Sequence, residues 1–100
     1  MSRKFKVAIL GATGLVGETI MEILEQRKFP IEELTLLASK RSAGKRLSFA
    51  DKNIKVLDVA EFDFKGIDIA FFSAGGSVSQ EYAPIAGAAG AIVIGISLRR

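Results

Sequence analysis

The stretch VAILGATGLVGETI, residues 7–20, decides the reading of this chain, because the hydrophobic period changes inside it. Up to Leu10 the residues are those of a buried strand, FKVAIL over 5–10, short and ended by a glycine. From Leu15 the apolar positions Val16, Ile20, Ile23 and Leu24 recur at helical spacing, with Glu18, Glu22, Glu25 and Gln26 on the other side. Glu18 near the start of this helix and Arg27 and Lys28 near its end oppose the helix dipole, and Pro30 stops further propagation. Between strand and helix stand Gly11, Gly14 and Gly17, each three residues from the next.

A glycine pattern at a strand-to-helix junction is the context in which it signals dinucleotide binding. Gly11 permits the sharp exit from the strand, Gly14 lets a pyrophosphate approach the backbone, and Gly17 allows the helix to pack closely on the sheet. Exposed amides at the helix N-terminus then meet the phosphate charge. The spacing G-x-x-G-x-x-G is a variant of the commoner G-x-G-x-x-G, and its bland alternative is a plain strand-turn-helix junction. The two flanking periodicities favour the phosphate cradle.

Further along, residues 34–38 read as a second strand, 39–46 (SKRSAGKR) as a polar basic loop, and 47–49 with 54–57 as a hairpin or two short strands. A connector over 61–66 leads to a third clear strand at 67–72, with Asp68 just inside its start. SAGGSVSQ follows, in which Ser77 and Gln80 fit a capping box. Pro84 in the next helix costs about 3 kcal/mol in an interior turn, so a short or bent helix to about Ala89 is expected. Gly90 can end it in a left-handed conformation, and AIVIGI, 91–96, reads as a final buried strand. Strand and helix alternate, which predicts an α/β, Rossmann-like fold with a mostly parallel sheet and flanking helices, as one domain over 1–100.

The nucleotide is selected at the end of the second strand, where NAD-binding folds place an acidic residue on the ribose hydroxyls. Here that place reads Ala38-Ser39-Lys40-Arg41-Ser42, with two hydroxyls, two cations and no carboxylate. Such a group suits a 2'-phosphate, Arg41 making a forked contact and Ser39 and Ser42 donating hydrogen bonds. Charge-assisted bonds of about 1.5 to 3 kcal/mol correspond to a preference for NADP over NAD of roughly tenfold to a hundredfold. The alternative is a solvated basic loop. A second glycine-rich exit, FFSAGGSVS over 71–79, places Ser73, Ala74, Gly75 and Gly76 at a strand C-terminal end, where parallel sheets bind ligands; its alternative is a turn plus helix cap.

Composition narrows the chemistry. The 100 residues contain no cysteine and no histidine, which removes disulfides, thiolate chemistry, most zinc sites and the commonest general base. No metal site and no catalytic residue is expected. The formal charge of +3, from 14 basic and 11 acidic residues spread along the chain, announces no nucleic-acid footprint. Arg3, Lys4 and Lys6 ahead of an apolar stretch imitate a secretory signal, but glycines interrupt that stretch and no cleavage site of the usual kind follows. The uncharged run from Tyr82 to Leu98 is broken by Pro84, Gly87, Gly90 and Gly95 and falls short of the roughly 20 apolar residues of a membrane span. A cytoplasmic protein is expected.

GATGLVG, LLASKRSAGK and IDIAFFSAGGSVSQEYAP, in that order, closely resemble the N-terminal coenzyme domain of aspartate-semialdehyde dehydrogenase, from about Lys6 to Ile94. The first segment is shared with many NADP-binding reductases, and the other two are much more specific. The resemblance implies an enzyme that reduces aspartyl phosphate to aspartate semialdehyde with NADPH, on the route to lysine, threonine and methionine. It implies a cysteine that carries a thioacyl group and a histidine that handles the proton, neither of which is present here. It also implies a longer protein whose catalytic and dimerisation domain lies beyond the matched region. Carried over by resemblance, Thr13, Gly14, Leu15 and Val16 line the pyrophosphate turn, Ser39, Arg41 and Ser42 the 2'-phosphate, and Ser73, Ala74 and Gly75 the adenosine side.

The ending departs from the pattern. The family continues with Asp-Asn-Ser and then an arginine that holds the substrate phosphate, whereas this chain reads Gly95-Ile96-Ser97-Leu98-Arg99-Arg100. Arg99 and Arg100 are out of register for that role and read as solvated cations. The expectation is a coenzyme-binding portion, truncated, interrupted or excised, that does not turn over alone. The competing readings are a stand-alone NADP-binding module without catalysis and a fragment of the related N-acetyl-glutamyl-phosphate reductase. Because the family is homo-oligomeric, the portion is also expected to expose apolar surface and to self-associate.

Overall fold

The strand Phe5–Leu10, β1, runs through the middle of a single six-stranded sheet. The computed structural model describes residues 3–73 and 77–96. β1 is followed by the helix α1, Leu15–Gln26, and by β2, Ile31–Ala38. An antiparallel hairpin of β3, Arg46–Phe49, and β4, Lys52–Asp58, comes next, then a single 3-10 turn at Val59–Glu61. β5, Ile69–Ser73, α2, Ser77–Ala88, and β6, Ile92–Ile96, complete the chain's described elements. The strand order is β3-β4-β2-β1-β5-β6, with every pairing parallel except that of the hairpin. This is the Rossmann-like α/β sheet that the alternation predicts.

Period-two alternation divides the core between the two faces of the sheet. Val7, Ile9, Leu36, Ala38 and Val56 point to one face, where Ile20, Met21 and Leu24 of α1 cover them. Ala8, Leu10, Leu37, Ala70 and Phe72 point to the other, against Ala86 of α2 and against Val59, Phe64 and Ile67 of the β4–β5 connection. Val7, Ile9, Leu36, Leu37, Val56 and Ala70 have no accessible surface. Each larger one contributes about 1.5–3 kcal/mol of burial.

Where element boundaries differ from expectation, a local interaction accounts for it. β2 starts at Ile31, three residues before the expected Leu34, because Ile31 and Glu33 pair with Phe5 and Lys6 across the parallel ladder. β5 starts at Ile69 instead of Ile67: Ile67 is held in a turn by its bond to the Phe64 carbonyl, with Gly66 at φ 90°. Asp68 binds Lys6 twice, its backbone N–H donating to the Lys6 carbonyl and its Oδ2 accepting the Lys6 N–H at 2.8 Å. The hairpin turn is Ala50-Asp51, both residues at positive φ (47° and 68°), the mirror-image geometry that matches the strand twist.

Two helix expectations are corrected. The buried stripe of α1 is Gly17, Ile20, Met21 and Leu24, so Ile23, expected in the core, is 45% exposed and Met21 takes its place. The helix turns this way because its glycine, and not Val16, faces the end of β1. α2 spans 12 residues, Ser77–Ala88, with Pro84 inside it, and ends one residue before the expected Ala89. Pro84 and Gln80 are both exposed, so the carbonyl that loses its helical donor is on a residue at the water side. Ser77 is the first residue of this helix and not its cap; the capping position itself lies outside the described residues.

The largest correction concerns β6. Read as buried, it is an edge strand with Ile92, Val93 and Ile94 exposed at 64, 36 and 37%, since only β5 flanks it. An apolar run alone does not distinguish a central strand from an edge one.

Lys28 ends the α1 region at φ 51°, a left-handed conformation that favours glycine. Replacing it, Lys28→Gly, is expected to raise stability by about 1 kcal/mol, read as a higher urea midpoint at unchanged slope. A lower midpoint would contradict the role assigned to this turn.

Candidate functional site

Beyond the C-terminal ends of β1 and β2, the structure opens a cleft of about 370 Å³ lined by Leu10, Gly11, Thr13, Gly14, Ala38, Ser39, Ser42 and the first three residues of α2, Ser77, Val78 and Ser79. The position follows from topology. From β1 the chain crosses through α1 on one face to β2; from β5 it crosses through α2 on the other face to β6. The crossovers diverge beside β1, and ligands of open parallel sheets bind at such a switch point.

The turn after β1 is assembled by backbone bonds. Gly11 and Ala12 both donate to the Leu37 carbonyl, at 2.9 and 3.2 Å, which ties the exit of β1 to the end of β2. Gly14 donates to the Gly11 carbonyl at 3.0 Å, and Glu18 to the Gly14 carbonyl at 3.0 Å, which starts α1. Gly11 takes φ 88°, as a sharp exit requires. Among the described residues, nothing accepts from the amides of Thr13, Leu15, Val16 and Gly17. Four unspent donors thus gather at a helix N-terminus whose dipole favours an anion.

The glycines divide their work. A Cβ on Gly17 would lie 2.3 Å from the Gly11 carbonyl oxygen and 2.6 Å from the Ala12 Cα, so α1 rests directly on the backbone of the turn. The contact is with the turn, closer than the helix-to-sheet packing expected for this residue. A Cβ on Gly14 would meet only the Gly11 oxygen, at an ordinary 3.5 Å. Gly14 is exposed at the cleft wall with φ −92°, so neither packing nor backbone conformation demands a glycine. The space a side chain would fill there is left to the cleft.

The basic loop is folded back on itself. Ser42 and Ala43 donate to the Ser39 carbonyl at 2.9 and 3.1 Å, and Gly44 donates to the Val56 carbonyl at 2.8 Å, anchoring the loop to β4. Ser39 and Ser42 are therefore brought to the same cleft as the glycine turn. Arg41, between them in sequence, is exposed, lines no part of the cleft, and makes no ion pair among the described residues.

Of the residues singled out from sequence, Gly11, Thr13, Gly14, Ser39 and Ser42 meet at the cleft wall. Leu15 is 70% exposed, Val16 packs half-buried on the α1 core, and Gly17 is buried; none of the three lines the cleft, and the backbone amide of each is unspent among the described residues. The backbone of Ser73 closes β5 opposite Ile96. The side chain of Ser73, the residues Ala74, Gly75 and Gly76, and Arg99 and Arg100 lie outside the described residues. Sequence reasoning missed Ser77, Val78 and Ser79 as wall residues. The signal was present in the strand-to-helix exit of FFSAGGSVS, but Ser77 was assigned to a cap. No group of histidine, cysteine or acidic residues able to hold a metal occurs among the described residues, and no described helix is long and apolar enough to cross a membrane.

The substitution Gly17→Ala is expected to cost roughly 3 kcal/mol or more, because backbone atoms must move. Gly14→Ser should change stability by less than about 0.5 kcal/mol, serine being a good residue at a helix N-cap. Denaturant melts of the two variants check this, and equal losses would contradict the division of roles.

Comparison with known proteins agrees with this geometry. The family model described as the NAD-binding domain of semialdehyde dehydrogenase matches residues 6–99. An aspartate-semialdehyde dehydrogenase of Legionella pneumophila is 60% identical over 94 residues, which is 94% of this chain and 27% of that protein. One from Aquifex aeolicus is 54% identical over 92 residues, 90% of this chain and 27% of the relative. The crystal structure of aspartate semialdehyde dehydrogenase II from Vibrio cholerae, complexed with ASA, superposes with a TM-score of 0.88 at 54% identity, covering 93% of this chain and 31% of that one. The chain thus spans less than a third of the length of these relatives. It belongs to the semialdehyde dehydrogenase NAD-binding-domain family and matches the N-terminal, coenzyme-binding domain of aspartate-semialdehyde dehydrogenases.

Proposed function

We propose that residues 1–100 act as one NADP-binding domain, the coenzyme-binding portion of a cytoplasmic, NADP-dependent aspartate-semialdehyde dehydrogenase. In the complete enzyme the reaction would be reductive dephosphorylation of aspartyl phosphate to aspartate semialdehyde, on the route to lysine, threonine and methionine. The observation that carries this reading is the meeting of Gly11, Thr13 and Gly14 of the glycine turn with Ser39 and Ser42 at a single cleft, beside a helix N-terminus whose first amides are unspent. The amides of Thr13, Leu15, Val16 and Gly17 would hold the pyrophosphate, with Gly11 and Gly14 shaping its approach.

Ser39 and Ser42 would donate to a 2'-phosphate at the rim. Arg41, with no competing carboxylate among the described residues, would close on it in a fork. Ser73, Ala74 and Gly75 would flank the adenosine side, as the resemblance implies. When bound, the coenzyme supplies the hydride. This chain's own residues supply its binding and orientation, and with no cysteine and no histidine the chain alone would not turn over.

A parallel fluorescence titration with NADPH and NADH tests the reading. NADPH is expected to bind roughly tenfold to a hundredfold tighter, and Arg41→Ala should remove the difference while leaving NADH binding unchanged. Gly14→Ser should weaken both nucleotides alike. Equal affinity for the two in the unaltered chain would contradict the 2'-phosphate assignment, and no binding by the folded chain would contradict the cradle itself.

A further inference from the structure

We propose that Lys55, with Arg46 opposite it, is a kinetic determinant of coenzyme choice, a pair of cations that steers the 2'-phosphorylated dinucleotide into the cleft without touching it. The inference rests on the coenzyme reading above and extends it to the rate of capture. The β3–β4 hairpin breaks a local rule. Arg46 and Lys55 stand directly opposite each other across its antiparallel ladder, both exposed. Like charges in that position are destabilising. No carboxylate relieves them: among the described residues the single ion pair is that of Arg3 with Asp68. Asp58, on the same strand as Lys55, is spent as the cap of the 3-10 turn, accepting the Ala60 N–H at 3.0 Å. Glu18, Glu22 and Glu25 of α1 border Ser48 of the hairpin but reach neither cation within ion-pair distance. Where a sequence breaks such a rule without local compensation, the place is ordinarily a functional one.

The position of the pair supplies the function. Residues 39–50 carry four cations, Lys40, Arg41, Lys45 and Arg46, and no carboxylate. This segment brings Ser39 and Ser42 to the cleft and is fastened to β4 by two bonds, Gly44 N–H to the Val56 carbonyl at 2.8 Å and Val56 N–H to the Lys45 carbonyl at 2.7 Å. Ala38 of the cleft wall is in register with Asp58 of β4. Lys55 precedes Asp58 by three residues, about 10 Å at the rise of a strand. It is therefore outside the lining of the cleft and well inside the screening length of roughly 30 Å at about 0.01 M salt.

NADPH and NADH differ in the quantity on which such a field acts. Both carry the two charges of the pyrophosphate, and the 2'-phosphate adds about −1.5 to −2 at pH 7. A field that raises the association rate of the dianion by some factor raises that of a ligand with about twice the charge by roughly the square of that factor. The cation pair thus adds a difference in association rate to the difference in contact that Arg41 makes.

Stopped-flow association of the 100-residue chain with NADPH and with NADH, followed by nicotinamide fluorescence over a salt series, tests it. At about 0.01 M salt, Lys55→Glu is expected to slow NADPH association roughly fivefold to tenfold and NADH association about twofold to threefold, with dissociation rates unchanged. Lys55→Gln should slow each by about the square root of those factors. At about 1 M salt, where the screening length is roughly 3 Å, the differences vanish. Lys52→Glu makes the same charge change three residues farther from Asp58 along β4, and should slow NADPH less. Circular dichroism and a urea midpoint no lower than that of the unaltered chain confirm the fold, since Lys55→Glu puts opposite charges across the hairpin. Absence of binding by the folded chain sinks the coenzyme reading and the proposal with it. Binding whose association rate ignores Lys55, or whose dissociation rate carries the whole effect, overturns the proposal alone and leaves the pair as a guard of the β3 edge. Equal slowing of NADPH and NADH overturns it too.

Discussion

The absence of a side chain at Gly17 is the constraint on which the rest of this structure depends. Backbone atoms of Gly11 and Ala12 occupy the place where a Cβ would be. This seats the first turn of α1 directly above the end of β1. Two turn amides are consumed by the Leu37 carbonyl and one by Gly11, which fixes the turn against β2 and leaves the remaining donors unspent at the start of α1. Burial of β1 on both faces makes this end of the sheet stiff. The proposed phosphate site would therefore be preorganised by packing and would not rely on flexible side chains.

Much of the fold was legible because its two periods are clean. The switch from FKVAIL to a 3.6-residue repeat located β1 and α1, and alternation of such units implied a parallel sheet with right-handed crossovers. The hairpin was legible as one of two options, though its Ala50-Asp51 turn lacks the glycine that usually marks the mirror-image geometry. What sequence did not carry was the third dimension. Strand order decides that AIVIGI is an edge and FKVAIL the centre, yet the two runs look equally apolar. The start of β2 and the delayed start of β5 likewise depend on their neighbour β1, through Ile31, Glu33 and the Asp68 carboxylate.

The site was legible in its backbone parts and less so in its walls. Glycine spacing pointed to the turn, and distance along the chain pointed to Ser39 and Ser42, since both are tied to strand ends that topology must bring together. Ser77, Val78 and Ser79 were not legible as wall residues, because their place on the wall depends on where α2 begins. Arg41 illustrates a further limit. Its type and position fit a 2'-phosphate, but a long exposed cation takes its geometry from the ligand it meets.

The central claim is that the unspent amides of the β1–α1 turn hold a dinucleotide phosphate. A ¹H–¹⁵N correlation spectrum of the chain, recorded as NADPH is added, tests it at the level of single amides. The account predicts the largest shifts at Thr13, Leu15, Val16 and Gly17, accompanied by Ser39, Arg41 and Ser42, with the β3–β4 hairpin turn unmoved. Shifts concentrated at that hairpin, or saturable binding that leaves the glycine turn unperturbed, would contradict it.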